Sequence, residues 1–282
     1  MTVAWAAVLA VGAVPAGASG AEAPAAPGAP GAAPGVATPP AAGSPAAPVG
    51  PGSAPGAAAP PAPPAPPFDV PAPSRRTGAT TARVVSATFA RRRLSSAAQG
   101  WRVGTQTSWS RQPLVLLVLD GAVRDGREWL KVLLPVRPNG SAGWIPRDRA
   151  VLARTPWWVD VRTRTRRVTV YRQGRRVRSF RAVVGARRTP TPHVLAAIYE
   201  RNRQPDPRAF IGPWALALTS LSNVLEDYGG GPGRIAIHGR GPESLSDHLG
   251  TARSHGCVRI NDAHVAWLAR RLPRGTPVDV RR

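Results

Sequence analysis

The chain is nearly without cysteine: Cys257 is the only one in 282 residues. A lone thiol cannot close an internal disulfide, so a disulfide-stapled scaffold is excluded. Such a thiol is either a buried apolar filler or a reactive nucleophile. Lysine is equally scarce, with Lys131 alone. Acidic residues are few, 15 against 38 Lys and Arg, for a formal net charge of +23. No basic residue precedes Arg75, and of the acids only Glu22 and Asp69 do, so the positive charge lies C-terminal to residue 74. Such a field attracts polyanions. The arginines are scattered along strand-like segments with no aromatic stacking pattern and no nucleic-acid motif, which speaks against nucleic acid as the partner.

Long apolar runs are missing too, apart from Met1 to Ala18. That run is short for a spanning helix, which needs about 20 residues, and small residues follow it. No Lys or Arg precedes it. Residues 1–21 are read as a signal peptide or N-terminal anchor. Residues 22–98 are read as an Ala/Pro/Gly-rich disordered linker followed by a basic connector with one short strand at Arg83-Val84-Val85, because such a composition buries too little apolar area to offset the entropy of ordering.

What is present begins with short strands. Pro113 to Leu119 is an apolar run ending at Asp120-Gly121, read as a buried strand and a turn. Trp129 to Leu134 is a second strand, Pro138-Asn139-Gly140 a turn, and Gly143-Trp144-Ile145-Pro146 a third strand. Several short strands in so little chain suggest a small β-barrel. Trp129-Leu130-Lys131-Val132, the Asn-Gly turn and Gly143-Trp144-Ile145 resemble the bacterial SH3-type domain, placed at residues 99–154. A third unit, 155–282, has Val159-Asp160-Val161, a hairpin from Arg167 to Val184 around Gln173-Gly174, the repeat Thr189-Pro190-Thr191-Pro192, and a last strand at Thr276 to Val280. One helix is expected after Asn261, with Val265, Leu268, Ala269 and Leu272 on one face.

Chemistry concentrates between residues 238 and 260, where His238, His248, His255 and Cys257 stand. Three readings are open. A structural zinc site needs four ligands, and there is one Cys. A buried thiol among hydrogen-bonded histidines would be structural only. In the third, a histidine takes the thiol proton, the sulfur attacks a carbonyl and backbone N–H groups hold the oxyanion.

His238, fifteen residues, Ser254-His255-Gly256-Cys257 and then Val258-Arg259 closely resemble the signature of L,D-transpeptidases of the YkuD type. Val159-Asp160-Val161, the hairpin, Gly185 and the Thr-Pro repeat are similar to that family's N-terminal half. His193 stands where the family usually has glycine, and residues 193–226 are less similar. The resemblance implies a mainly β fold, a small SH3-like barrel followed by an L,D-transpeptidase-like β-sandwich with few helices. It implies Cys257 as nucleophile, His238 as base, and the Gly239 carbonyl as the group orienting that imidazole. His255 shapes the site, Gly256 and Cys257 supply oxyanion N–H groups, Ser254 bonds locally, and Arg259 grips a substrate carboxylate through its planar fork. No metal or cofactor is implied. Pairing with His238 in a positive domain is expected to lower the thiol pKa.

The implied activity is formation of 3→3 cross-links between peptidoglycan stem peptides, with release of terminal D-Ala. Carbapenem-type β-lactams would be covalent inhibitors and anionic wall polymers further partners. The enzyme would be exported to the cell wall or envelope. An L,D-carboxypeptidase, an endopeptidase of the stems, and a non-catalytic wall-binding protein stay as alternatives.

Overall fold

The computed structural model describes residues 68–95, 98–227 and 231–282. The apolar leader and the Ala/Pro/Gly tract up to residue 67 lie outside the described residues.

Seven strands form a first sheet: β1 (Ala79–Val84), β2 (Thr88–Arg91), β3 (Gly100–Val103), β4 (Val115–Arg124), β5 (Arg127–Leu133), β6 (Ala142–Pro146) and β7 (Ala150–Thr155). Their order is β3-β2-β6-β5-β4-β1-β7. β1 and β2 lie in the stretch read from sequence as connector. That boundary is corrected because Ala79 to Ala82, small or β-branched, are buried between β4 and β7. Their modest hydrophobicity hid a central strand. Asp120-Gly121 is also not a turn. β4 runs through it, and the hairpin turn is Asp125-Gly126, both at positive φ. Gly121 is there for close approach: a Cβ would stand 2.7 Å from Val70 Cγ2.

The run Val115 to Leu119 is apolar throughout because both its faces are covered. Leu116 and Val118 enter the first sheet's own core. Leu117 and Leu119 face the other way, against Ala197 and Leu195.

The remaining chain forms β8 (Trp157–Arg162), β9 (Arg167–Arg172), β10 (Arg175–Arg181), β11 (Val184–Gly185), β12 (Leu195–Arg203), β13 (Trp214–Leu221), β14 (Arg234–His238), β15 (Ala252–Ser254), β16 (Val258–Arg259), helix α1 (Asp262–Arg271) and β17 (Pro277–Arg281). Eight of these strands make a sheet in the order β10-β9-β8-β17-β12-β13-β14-β16, and β11 pairs with β15. The expectation of a mainly β chain with one helix is borne out. Val265, Leu268, Ala269 and Leu272 are buried in the second core. Asn261 stands at the N-cap position but makes no side-chain cap bond.

The two sheets are locked together by polar contacts as well as packing. Tyr199 of β12 enters the first core, and its hydroxyl accepts from Ser108 N–H at 2.9 Å. Glu200, fully buried, accepts from the N–H groups of Trp109 and Ser110 at 3.2 Å each. Asn139 closes the end of β13: its Nδ2 donates to Leu221 O at 2.7 Å and its Oδ1 accepts from Leu221 N–H at 2.8 Å.

Candidate active site

β14 alternates as a half-buried strand should. Ile235 and Ile237 point into the second core, so Ala236 and His238 project from its other face. β16 runs parallel beside it, with Ile237 opposite Val258 and His238 opposite Arg259. Val258 is in the core. Cys257 and Arg259 on either side of it therefore share the face of His238. The Cys257 sulfur is hydrogen-bonded by the backbone of Ala236. Register alone has brought together two side chains nineteen positions apart in the chain.

The turn before Cys257 is held from three sides. Gly256 sits at φ +117, where L side chains strain, and a Cβ would stand 2.9 Å from Ile235 Cδ1. Thr191 Oγ1 accepts from Gly185 N–H at 2.9 Å and donates to Gly256 O at 2.8 Å. Thr189 Oγ1 donates to Ser254 O at 3.0 Å. The Thr-Pro repeat, noted in the sequence without a role for its hydroxyls, is thus the clamp of the turn before Cys257. Ser254 Oγ donates to Cys257 O at 2.6 Å and accepts from Gly256 N–H at 3.2 Å. Because that N–H is engaged, Gly256 does not offer it to an oxyanion in this arrangement. Cys257 N–H is the remaining donor of the expected pair.

His238 is 3% exposed. Its Nδ1 lies 2.8 Å from Gly239 O. A carbonyl can only accept, so Nδ1 carries the proton and Nε2 is left as the basic nitrogen. Asp262, in the first turn of α1, fixes the next residue by accepting from Arg240 N–H at 2.7 Å. Burial, then the Arg259 charge, push the His238 pKa down to about 4, against hydrogen bonds with the backbone of Gly239 and Ile211.

Burial pushes the Cys257 thiol up, while the Ala236 backbone bond and the Arg259 charge pull the other way. This reverses the lowered thiol pKa expected from sequence. Net positive charge spread over the domain does not offset desolvation at the sulfur itself.

Arg259 is 4% exposed. Its Nη1 bonds Asp247 Oδ2 at 2.6 Å, its guanidinium carbon lies 4.7 Å from the Phe210 ring centroid, and its Nε has no hydrogen-bond partner among the described residues. The sequence reading gave this fork to a substrate carboxylate. The structure gives one arm of it to Asp247. Phe210, whose ring centroid is 6.3 Å from that of His238, and Asp247 were both missed. Phe210 sits in a loop before the motif and Asp247 in its fifteen-residue spacer, and no spacing rule points to either.

His255 and His248 are exposed. His193 bonds Thr163 Oγ1 at 2.8 Å, and His264 stacks on Phe180 at 4.2 Å. Among the described residues no group of three His, Cys, Asp or Glu side chains could hold a metal ion.

Residues 156–280 match the family model of the YkuD L,D-transpeptidase catalytic domain. A Bacillus licheniformis protein named as an L,D-transpeptidase YkuD is 28% identical over 169 residues, which is 57% of this chain and 92% of that one. An L,D-transpeptidase solved in complex with imipenem aligns with TM-score 0.37 and 16% identity, over 62% of this chain and 76% of that chain. L,D-transpeptidase 3 of Mycobacterium tuberculosis, in complex with a faropenem-derived adduct, aligns with TM-score 0.38 and 14% identity, over 60% and 91%.

Proposed function

We propose that this protein, whose residues 156–280 match the family model of the YkuD L,D-transpeptidase catalytic domain, cross-links peptidoglycan by acyl transfer through Cys257. The observation that carries the reading is the register of β14 and β16, which sets His238 and Cys257 on one face, with His238 Nδ1 held by Gly239 O.

Cys257 Sγ attacks the carbonyl carbon of the third residue of a tetrapeptide stem as His238 Nε2 takes the thiol proton. The oxyanion forms at Cys257 N–H. Collapse breaks the bond to the terminal D-Ala, which leaves with the proton from His238. The side-chain amine of a second stem then attacks the thioester, gives a proton to His238 and releases the thiol, forming the 3→3 link. Water in place of that amine would make the product a tripeptide. Residues 79–155 serve as an SH3-type module that carries the catalytic sheet to the wall, after export by the N-terminal segment.

Intact-mass measurement tests the reading directly. Wild-type protein with imipenem should gain one adduct on Cys257, and Cys257→Ala none. With tetrapeptide stems the wild type should release D-Ala and form dimeric product. An adduct-free wild type, or stems left intact, would sink it.

A further inference from the structure

Three guanidiniums stand against two tryptophans where β9, β10 and α1 meet. Arg172 lies 5.5 Å from the Trp157 ring centroid. Arg178 and Arg271 lie 4.8 and 4.7 Å from that of Trp267. The two rings meet edge-on with centroids 6.1 Å apart, so the three cations gather about one tryptophan pair. All three arginines are exposed. None takes part in an ion pair among the described residues. No Asp or Glu occurs from Arg162 to Arg188, a stretch with eleven arginines.

We propose that this patch is a docking site for a linear phosphodiester polymer without bases, a polyol-phosphate polymer of the cell wall. A guanidinium lying over an indole keeps its N–H donors in plane and free at the edge. It is also held in place, so little entropy is lost when an anion arrives. The fork matches phosphate oxygens bidentately. Three such groups, unneutralised and gathered about one tryptophan pair, suit a polymer that presents repeated phosphates. Single-stranded nucleic acid is disfavoured by the same contacts. Its bases need open aromatic faces, whereas Trp267 is 8% exposed and both indoles are already covered by guanidiniums.

The site is separate from Cys257, and its proof does not depend on the acyl-transfer chemistry. The probe is a synthetic glycerol-phosphate oligomer, titrated into the full chain by calorimetry at several salt concentrations. The triple variant Arg172→Gln, Arg178→Gln, Arg271→Gln is compared with a control of equal charge loss at exposed arginines before residue 104, Arg83→Gln, Arg93→Gln, Arg102→Gln. The patch variant should bind at least about tenfold more weakly and show a shallower slope of log K against log salt. The control should stay within about threefold of wild type. Imipenem adduct formation should be unchanged in both, which shows that the fold is intact and separates this proposal from the catalytic one. Equal weakening in both variants would mean diffuse charge only and would overturn the site. So would tighter patch-dependent binding of a single-stranded oligonucleotide or of phosphatidylglycerol vesicles than of the oligomer. A third variant with lysine at all three positions keeps the charge but loses the fork. It should also bind more weakly, and wild-type affinity there would refute the recognition by pinned guanidiniums.

Discussion

Asp247 Oδ2 bonds Arg259 Nη1 at 2.6 Å, and Arg259 is the charge that acts on both Cys257 and His238. The carboxylate therefore decides how much of that positive field reaches those two side chains, although it stands in the spacer between His238 and Ser254. Replacing Asp247 by Asn removes the counter-charge and keeps the shape. The Arg259 charge, buried and unbalanced, should then destabilise the fold by about 2–3 kcal/mol. It should also favour the thiolate, moving the alkylation midpoint of Cys257 to lower pH than in the wild type. An unchanged midpoint with a lowered melting temperature would make the pair purely structural.

The thiol and imidazole shifts fix a pH profile. The thiol is raised, so the rate of alkylation by a small neutral reagent should reach its midpoint above the ordinary thiol value of about 8.5. His238 with a pKa of about 4 stays neutral, and able to accept a proton, well below pH 6.5. The acid limb of imipenem acylation should therefore fall near pH 4 to 5. A limb near 6.5 would show that the imidazole is not desolvated in the working enzyme.

The same shift has a stability consequence. Between about pH 6.5 and 4 the unfolded chain protonates His238 and the folded chain does not. The unfolded state then binds more protons, so stability falls as pH drops through that window. A pKa difference from 6.5 to about 4 is worth roughly 3 kcal/mol at its limit. His238→Gln should flatten this part of the melting-temperature profile. A slope identical to wild type would assign it to other groups.

Thr191→Val tests the clamp. The substitution preserves shape but leaves Gly185 N–H and Gly256 O without their shared hydroxyl. A buried loss of this kind costs about 1–3 kcal/mol. Acylation should fall about tenfold or more as the turn loosens, with alkylation of the thiol less affected. Full acylation activity would show that Gly256 and Ser254 hold the turn unaided.

Asn139→Ala should reach the second sheet from the first. It removes both bonds to Leu221 at the end of β13, next to β14. A melting temperature lowered by several degrees is expected. A protein beginning at Thr155 should lose more, because Tyr199, Ala197 and the Glu200 carboxylate would face water without their partners. Wild-type melting of that fragment would show that the sheets are independent.

The sequence alone pointed to the candidate site. One cysteine and two His-Gly pairs singled out residues 238–260, and the resemblance to YkuD-type L,D-transpeptidases implied Cys257 as nucleophile and His238 as base. Helix α1 was legible from the 3.6-residue spacing of Val265, Leu268, Ala269 and Leu272, and the β9–β10 hairpin from alternation around Gln173-Gly174. These signals are local.

Tertiary structure alone decided what depends on covering. Whether Ala79–Val84 is linker or central strand rests on β4 and β7 being there to bury it. The doubly buried run in β4 needed a second sheet that composition does not announce. Above all, the direction of the Cys257 shift could not be read from charge counts, since a field of arginines acts through solvent while burial acts on the sulfur directly. Asp247 and Phe210 reach Arg259 only when loops far apart in the chain fold onto β16, and no local pattern records that meeting.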